Sequence, residues 1–142
     1  MPIEKLNPYI TFNGTAEKAI QLYESALGAK AEGVSRFGDM PGFNGPPEAK
    51  NQVMHAVLHI GGGIVMVSDA PPDRPAPATG NIQIALDFTA LADMAKAFEG
   101  LAAGGNVTMA LTDTFWGARF GMLTDAYGVS WMFNCDLKKA QA

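Results

Sequence analysis

Residues 113–134 have the sequence DTFWGARFGMLTDAYGVSWMFN, which is the most informative stretch of the chain. Apolar and aromatic residues fill its two arms, and Asp125-Ala126-Tyr127-Gly128 between them is typical of a tight turn. The pattern predicts two strands joined by that turn. Arg119 stands among four aromatic residues and needs a partner there, which can be a carboxylate, a carbonyl, a ring face or a bound anion.

This hairpin is the last part of a pattern that the chain carries twice. In each half, a strand, a helix and three further strands follow one another, as judged from the spacing of apolar residues. A shift of 74 residues sets Ile10 on Ile84, and a shift of 75 sets Tyr23 on Phe98. Such internal similarity indicates a duplication.

The duplication predicts an α+β fold in a single domain that spans residues 1–142. Two βαβββ modules, at approximately residues 5–70 and 80–136, are expected to form a curved mixed sheet with the helices outside. The concave face of that sheet, rather than the helix-covered face, is the predicted cleft. Residues 38–51 form a long loop rich in Gly, Pro and Asn, and such loops are often lids or binding loops.

Local signals place the first helix and its ends. Helical spacing predicts a helix from Ala16 to Leu27, with Thr15 as its N-cap and Gly28 at its end. Turn hydrogen bonding is the expected role of four acidic residues in predicted loops and turns, namely Asp69, Asp73, Asp113 and Asp125.

Composition excludes several classes of partner. Of the 142 residues, 48% are hydrophobic and 17% charged, so a core is expected and disorder is not. The net charge is −4 and no run of Lys or Arg exceeds two residues, so neither nucleic acid nor a membrane is an expected partner. The N-terminal residues lack the apolar segment of a signal peptide, which predicts a cytoplasmic location. Cys135 is the single cysteine, so an internal disulfide is excluded.

Four stretches carry a resemblance to a known family: Leu6–Gly14, Met54–Leu58, Ser68–Ala70 and Asp113–Gly121. Together with the βαβββ duplication, they resemble the vicinal oxygen chelate superfamily of glyoxalases, bleomycin-resistance proteins and extradiol dioxygenases. Within it they are similar to the PhnB-like branch, which has often been labelled demethylubiquinone-methyltransferase-like. The resemblance implies the glyoxalase/bleomycin resistance fold, but that fold hosts many chemistries. A methyltransferase would need a Gly-rich turn from strand to helix, whereas Gly61-Gly62-Gly63 is predicted between two strands.

The resemblance also implies where a metal would bind. Metal enzymes of the superfamily take one ligand, usually His, from the first strand of each half and another, usually Glu, from the last strand. The corresponding positions here fall at Pro8 or Tyr9, Gln83, Met66 and Met132. Thioethers suit soft copper rather than hard metals, so the usual divalent site is predicted to be absent and no cofactor is expected. A divalent metal on a non-standard ligand set is the alternative.

His55 and His59 are the only histidines, and they share one face of a predicted strand from Val53 to Ile60. Four residues of strand separate their α-carbons by roughly 13 Å, which is too far for joint chelation of one metal. His55 is the candidate general base or hydrogen-bond donor to a ligand. The alternative is a half-buried histidine bonded to a neighbour.

Arg119 and Trp116 are candidates for binding a planar or anionic ligand. The indole would stack on a ring while the guanidinium pairs with a carboxylate or phosphonate. The alternative is a structural arginine held by Asp113 or another acid at a strand bend.

The predicted function is small-molecule binding of the glyoxalase/bleomycin-resistance type, for an aromatic or anionic molecule, without the usual metal. The predicted pocket contains Tyr9, His55, Met66, Gln83, Trp116, Arg119 and Met132. A metal-dependent lyase, isomerase or dioxygenase built around His55 and Gln83 is the alternative, and a ligand-sensing or interaction module is a third. In the superfamily, chains with two modules commonly pair, so the resemblance implies a homodimer.

Overall fold

The computed structural model describes residues 3, 5–71, 73–77 and 81–138. The chain divides into two compact units, residues 1–77 and 78–142, and each contains one βαβββ module. The predicted α+β fold of two such modules is therefore confirmed. The predicted boundaries at residues 1, 80 and 142 lie outside the described residues.

The first module is a four-stranded mixed sheet with one helix. Its elements are β1 (Tyr9–Phe12), α1 (Ala16–Leu27), β2 (Lys30–Arg36), β3 (Val53–Ile60) and β4 (Gly63–Asp69). The strand order is β1-β4-β3-β2, in which β1 runs parallel to β4 and the other pairs are antiparallel.

The second module repeats this topology. Its elements are β5 (Ile84–Phe88), α2 (Leu91–Ala102), β6 (Asn106–Asp113), β7 (Ala118–Thr124) and β8 (Ser130–Asp136). The strand order is β5-β8-β7-β6, with β5 parallel to β8. Hydrogen bonding thus gives each module its own four-stranded sheet.

Each helix covers one face of its own sheet. In the first module, Ala56 and Leu58 of β3 are fully buried and alternate with half-buried residues, and Val67 of β4, which pairs with Ala56, is fully buried too. In the second module, the rings of Phe98 on α2 and Phe133 on β8 meet edge to face, with centroids 5.0 Å apart. We call the opposite face of each sheet, away from the helix of that module, its open face.

A close approach explains one glycine of the second module. A β-carbon added to Gly121 on β7 would lie 2.8 Å from a methyl carbon of Leu111 and 3.1 Å from the ring of Phe98. Any larger residue would therefore force its neighbours, such as the side chains of Leu111 and Phe98, to shift. Gly121 thus permits close packing on the helix-covered face.

The helix α1 begins after Thr15 and ends before Gly28, as predicted, and Gly28 has the left-handed φ of 66° that favours glycine. The Thr15 side chain makes no capping hydrogen bond, however. Asp69, at the end of β4, does this instead: its Oδ1 accepts a hydrogen bond of 2.9 Å from the amide of Ala16. A carboxylate at this end of a helix also interacts favourably with the helix dipole.

The prediction that Asp69 serves a turn was wrong. Asp69 is the last residue of a strand and only 3% exposed, and its second oxygen accepts a hydrogen bond of 3.0 Å from the amide of Val53 at the start of β3. One buried carboxylate therefore connects β4 to both α1 and β3. Buried charges are tolerated where hydrogen bonds satisfy them, and Asp69 has such bonds.

The turn prediction for Asp125 is confirmed. Its Oδ1 accepts hydrogen bonds from the amides of Tyr127 and Val129, at 2.9 and 3.0 Å, and so closes the turn between β7 and β8. Its Oδ2 also accepts a hydrogen bond of 2.9 Å from the indole nitrogen of Trp131. Asp125 thus fixes both the turn and a large core side chain.

The loop after β2 is anchored at its base. Backbone hydrogen bonds join Phe37 to Gln52 and Gly38 to Lys50, at 3.1 and 2.9 Å, and two short 3₁₀ turns lie within it, Phe37–Asp39 and Pro47–Ala49. These contacts order the ends of the loop. Its role as a lid stays a prediction.

Replacing Asp69 with alanine is expected to destabilise the protein strongly. The change leaves the buried amides of Ala16 and Val53 without an acceptor, at a cost of about 3 kcal/mol in the free energy of unfolding. Urea denaturation monitored by circular dichroism measures this. The matched control is Asp73→Ala on the exposed loop, which should change the free energy by less than about 0.5 kcal/mol. Equal losses in both variants would contradict the role assigned to Asp69.

Candidate functional site

Three of the predicted pocket residues come together on the open face of the first sheet. Tyr9 on β1 pairs in register with Met66 on β4, and Met66 pairs with Val57 on β3. His55 lies two residues from Val57 on the same face. The Tyr9 hydroxyl lies 3.1 Å from Nδ1 of His55, and the two rings are 5.7 Å apart between centroids.

The Tyr9–His55 hydrogen bond fixes the imidazole with one nitrogen occupied. Which group donates depends on the tautomer of His55. Among the described residues, the other ring nitrogen, Nε2, has no hydrogen-bonding partner. Because Tyr9 is 50% exposed and His55 half-buried, a small molecule can reach both. The pair offers a hydroxyl, an imidazole and an aromatic ring beside the thioether of Met66.

His59 has a different environment from His55. Its Nε2 lies 2.6 Å from a carboxylate oxygen of Glu32 on β2, and both side chains are largely exposed. The two groups hold each other across the β2–β3 pair. This contact gives His59 a structural partner.

Met132 lies on the open face of the second sheet, but Gln83 does not lie beside it. Met132 on β8 pairs in register with Ala85 on β5, as Met66 pairs with Tyr9 in the first module. The alternation of apolar residues predicts a strand over residues 81–88. β5 begins at Ile84, however, so the exposed Gln83 precedes it. The position opposite Met132 therefore carries a methyl group and not an amide.

Arg119 lies on the helix-covered side of β7. It pairs in register with the buried Cys135, whereas its neighbour Phe120 lies on the open face with Asn134. Its guanidinium donates two hydrogen bonds to Asp113, from Nε to Oδ1 at 2.7 Å and from Nη2 to Oδ2 at 3.4 Å. The structure thus shows the arrangement that the sequence left as an alternative, an arginine held by Asp113 at the end of a strand.

Trp116 lies at the tip of the turn between β6 and β7. Trp116 is 55% exposed and Phe115 97% exposed, and their rings meet edge to face at 5.1 Å. The indole also contacts Phe120, with 5.8 Å between centroids. This aromatic tip stands on the segment that the Asp113–Arg119 pair closes.

The donors at the implied metal positions do not fit a divalent ion. The register places Tyr9 opposite Met66 in one module and Ala85 opposite Met132 in the other, and neither pair supplies two hard ligands. Within the described part of the chain, no group of three or more His, Cys, Asp or Glu residues could hold a metal.

Sequence reasoning named Tyr9 and His55 separately and missed their hydrogen bond. A signal was present, because Tyr9 on β1 and His55 on β3 both alternate with core residues, which predicts that each faces away from the core. What the sequence lacked was the position of β4 between β1 and β3.

The Asp113–Arg119 pair has a measurable consequence for titration. Hydrogen bonds from Arg119 hold the pKa of Asp113 below its ordinary value, and the hydrogen bond to Asp113 raises the pKa of Arg119. Because the pKa of Asp113 is lowered on folding, the pair stabilises the protein above the ordinary carboxyl pKa. That contribution is lost as the pH falls through the lowered value.

Replacing Arg119 with glutamine is therefore expected to raise the pKa of Asp113 toward its ordinary value. Carbon-detected NMR titration of the aspartate carboxyls measures this directly. Arg36→Gln, which removes the partner of Glu17, is the matched control and should leave the Asp113 titration unchanged. An unaltered Asp113 titration in the Arg119 variant would show that the pair does not persist in solution.

No helix in the described part of the chain is long and apolar enough to cross a membrane.

The family model of the Glyoxalase/Bleomycin resistance protein/Dioxygenase superfamily matches residues 5–133. The chain is 36% identical over 141 residues to protein YjdN of Escherichia coli, an alignment that covers 91% of this chain and 93% of that protein.

Two solved structures are similar over most of their length. Protein PA1353 from Pseudomonas aeruginosa has a TM-score of 0.83 and 39% identity, covering 94% of this chain and 98% of that one. A PhnB protein from Bacillus cereus, whose name carries a 3-demethylubiquinone-9 3-methyltransferase label, has a TM-score of 0.78 and 25% identity, covering 93% and 99%. The two βαβββ modules and the match over residues 5–133 show that this chain belongs to the Glyoxalase/Bleomycin resistance protein/Dioxygenase superfamily.

Proposed function

We propose that the chain binds a small aromatic or anionic molecule on the open face of its first sheet, without the divalent metal used by enzymes of the superfamily. The observation that carries this proposal is the Tyr9–His55 hydrogen bond on an accessible sheet face beside Met66. It provides polar groups in a fixed geometry next to an adaptable apolar one, as small-molecule sites generally do.

Each group in this site has a role in the proposed complex. His55 presents Nε2 to a carboxylate or phosphonate, and it donates a charge-assisted hydrogen bond when the imidazole is protonated. Tyr9 holds the imidazole through Nδ1 and offers its ring face. Met66 contributes a flexible, polarisable thioether against an aromatic ligand.

Ligand-binding roles for the predicted residues of the second module remain proposals, and their positions support some of these roles better than others. Met132 lies on an open face and Trp116 is exposed, so both can meet a ligand. Arg119 is occupied by Asp113, and Gln83 lies before the strand rather than on it. These positions favour Met132 and Trp116 over the other two.

Methyl transfer is not the function we propose. Cofactor sites for nucleotides usually lie at a Gly-rich turn between a strand and a helix of a doubly wound sheet. Here the turns from strand to helix are Asn13-Gly14-Thr15 and Thr89-Ala90, and the three consecutive glycines lie at the β3–β4 turn. Among the described residues, no strand-to-helix turn therefore has the Gly-rich pattern that the methyltransferase label of the Bacillus cereus protein would require.

We also propose that the chain forms a homodimer, as its superfamily resemblance implies, and that it is cytoplasmic. Exposed apolar side chains such as Phe115 at 97% and Ile82 at 75% are compatible with a covered surface. Light scattering coupled to gel filtration should give twice the mass of the chain. A monomer at micromolar concentration would contradict the dimer without bearing on the ligand site.

Binding of simple probes is expected to depend on Tyr9 and His55. The probes are benzoate, 4-hydroxybenzoate, 1-naphthoate and phenylphosphonate, screened by saturation-transfer NMR and titrated by calorimetry. Tyr9→Phe and His55→Gln should each weaken the best probe about tenfold, which corresponds to the loss of about 1.4 kcal/mol from one hydrogen bond.

The matched control is His59→Gln, which changes the other histidine of the same strand and should alter the affinity less than about twofold, because Glu32 already occupies that side chain. If none of the probes binds, or if all three variants weaken binding equally, the site on the first sheet is wrong.

A further inference from the structure

Three methionines lie side by side on the open face of the second sheet. Met122 on β7 pairs in register with Met109 on β6 and, on its other side, with Met132 on β8. β7 lies between β6 and β8 and is antiparallel to both, and residues directly opposite each other on such strands share a face. The register of β6 against β7 shifts on both sides of Met109, and Met109 itself is paired with Met122 between these two irregularities. The row ends at Ala85 on β5, whose small side chain leaves space next to Met132.

The spacing of this methionine row permits a common ligand. Residues directly opposite on antiparallel strands have β-carbons about 4.5–5.5 Å apart, and a methionine has three rotatable bonds. Met109 and Met132 can therefore bring their sulfurs toward an ion above Met122. Met109 is 41% exposed and the other two are half-buried, so an ion can reach the row from solvent.

The side chains around the methionine row favour a bound cation, and few of them would compete with the three sulfurs for it. On one side, Nδ2 of Asn134 donates a hydrogen bond of 3.2 Å to the carboxylate of Asp87. On the other side, the hydroxyls of Thr124 and Ser130 lie 3.3 Å apart. The carboxylate adds negative charge near the row. The single thiol of the chain, Cys135, is fully buried on the helix-covered face.

Three thioether ligands determine which metal ion such a site can bind. Neutral sulfur ligands bind Cu(I) well and hard divalent ions poorly. We propose that Met109, Met122 and Met132 form a binding site for one Cu(I) ion, with Ag(I) as its analogue. The ion binds and leaves as Cu(I), so no electron is transferred. The proposed site lies in the second module and does not depend on ligand binding by Tyr9 and His55.

The test is metal titration of the intact chain under anaerobic conditions. Cu(I) is supplied as its complex with the chromogenic chelator bicinchoninate, and Ag(I) binding is followed by calorimetry. The wild type should take one Cu(I) from the chelator. Met122→Leu keeps the side-chain volume but removes the central sulfur, and it should weaken binding at least about tenfold. The triple leucine variant should abolish it.

Two controls separate the row from other soft donors. Met40→Leu removes an exposed methionine outside the row, and Cys135→Ala removes the thiol; each should keep one Cu(I) per chain with unchanged affinity. Circular dichroism verifies that each variant folds. If the triple variant does not fold, the Cu(I) affinity of the single Met122 variant tests the proposal. The proposal is overturned if the wild type takes no Cu(I), if Met122→Leu binds as tightly as the wild type, or if Cys135→Ala abolishes binding.

Discussion

In each module the first strand lies beside the last and parallel to it, and the rest of the structure depends on this pairing. A parallel pair cannot be closed by a tight turn, so the chain must cross over through a helix and a further hairpin. The crossover places the helix on one face and leaves the other open. In the first module, Asp69 at the end of β4 accepts hydrogen bonds from the first residue of α1 and the first residue of β3. These bonds connect both elements to the strand pair.

The two open faces carry different chemistry on the same framework. At the position where the first strand meets the last, one module has Tyr9 opposite Met66 and the other has Ala85 opposite Met132. The first face adds an imidazole through His55 and suits a polar or aromatic molecule. The second is rich in thioethers and suits soft partners. A duplicated framework thus supports two distinct binding surfaces because the side chains on the two open faces differ.

The sequence predicted the elements well because apolar periodicity reports on faces, and the alternation along β3 and β5 matched the structure. It did not predict the role of Asp69, because the two amides that Asp69 accepts from lie 53 and 16 residues away along the chain. The shift of 74 residues set Gln83 on Tyr9, whereas the strand pairing sets Ala85 there. A displacement of two residues preserves the alternation of a strand, so periodicity could not detect it.

The central claim is that the open face of the first sheet acts without a divalent metal. Elemental mass spectrometry of gently purified protein, measured for the wild type and for His55→Ala, tests it most directly. The account predicts Zn, Ni, Mn and Fe at well below one ion per chain in both proteins. A stoichiometric divalent metal in the wild type that falls in the His55 variant would contradict the account and assign His55 to a metal centre.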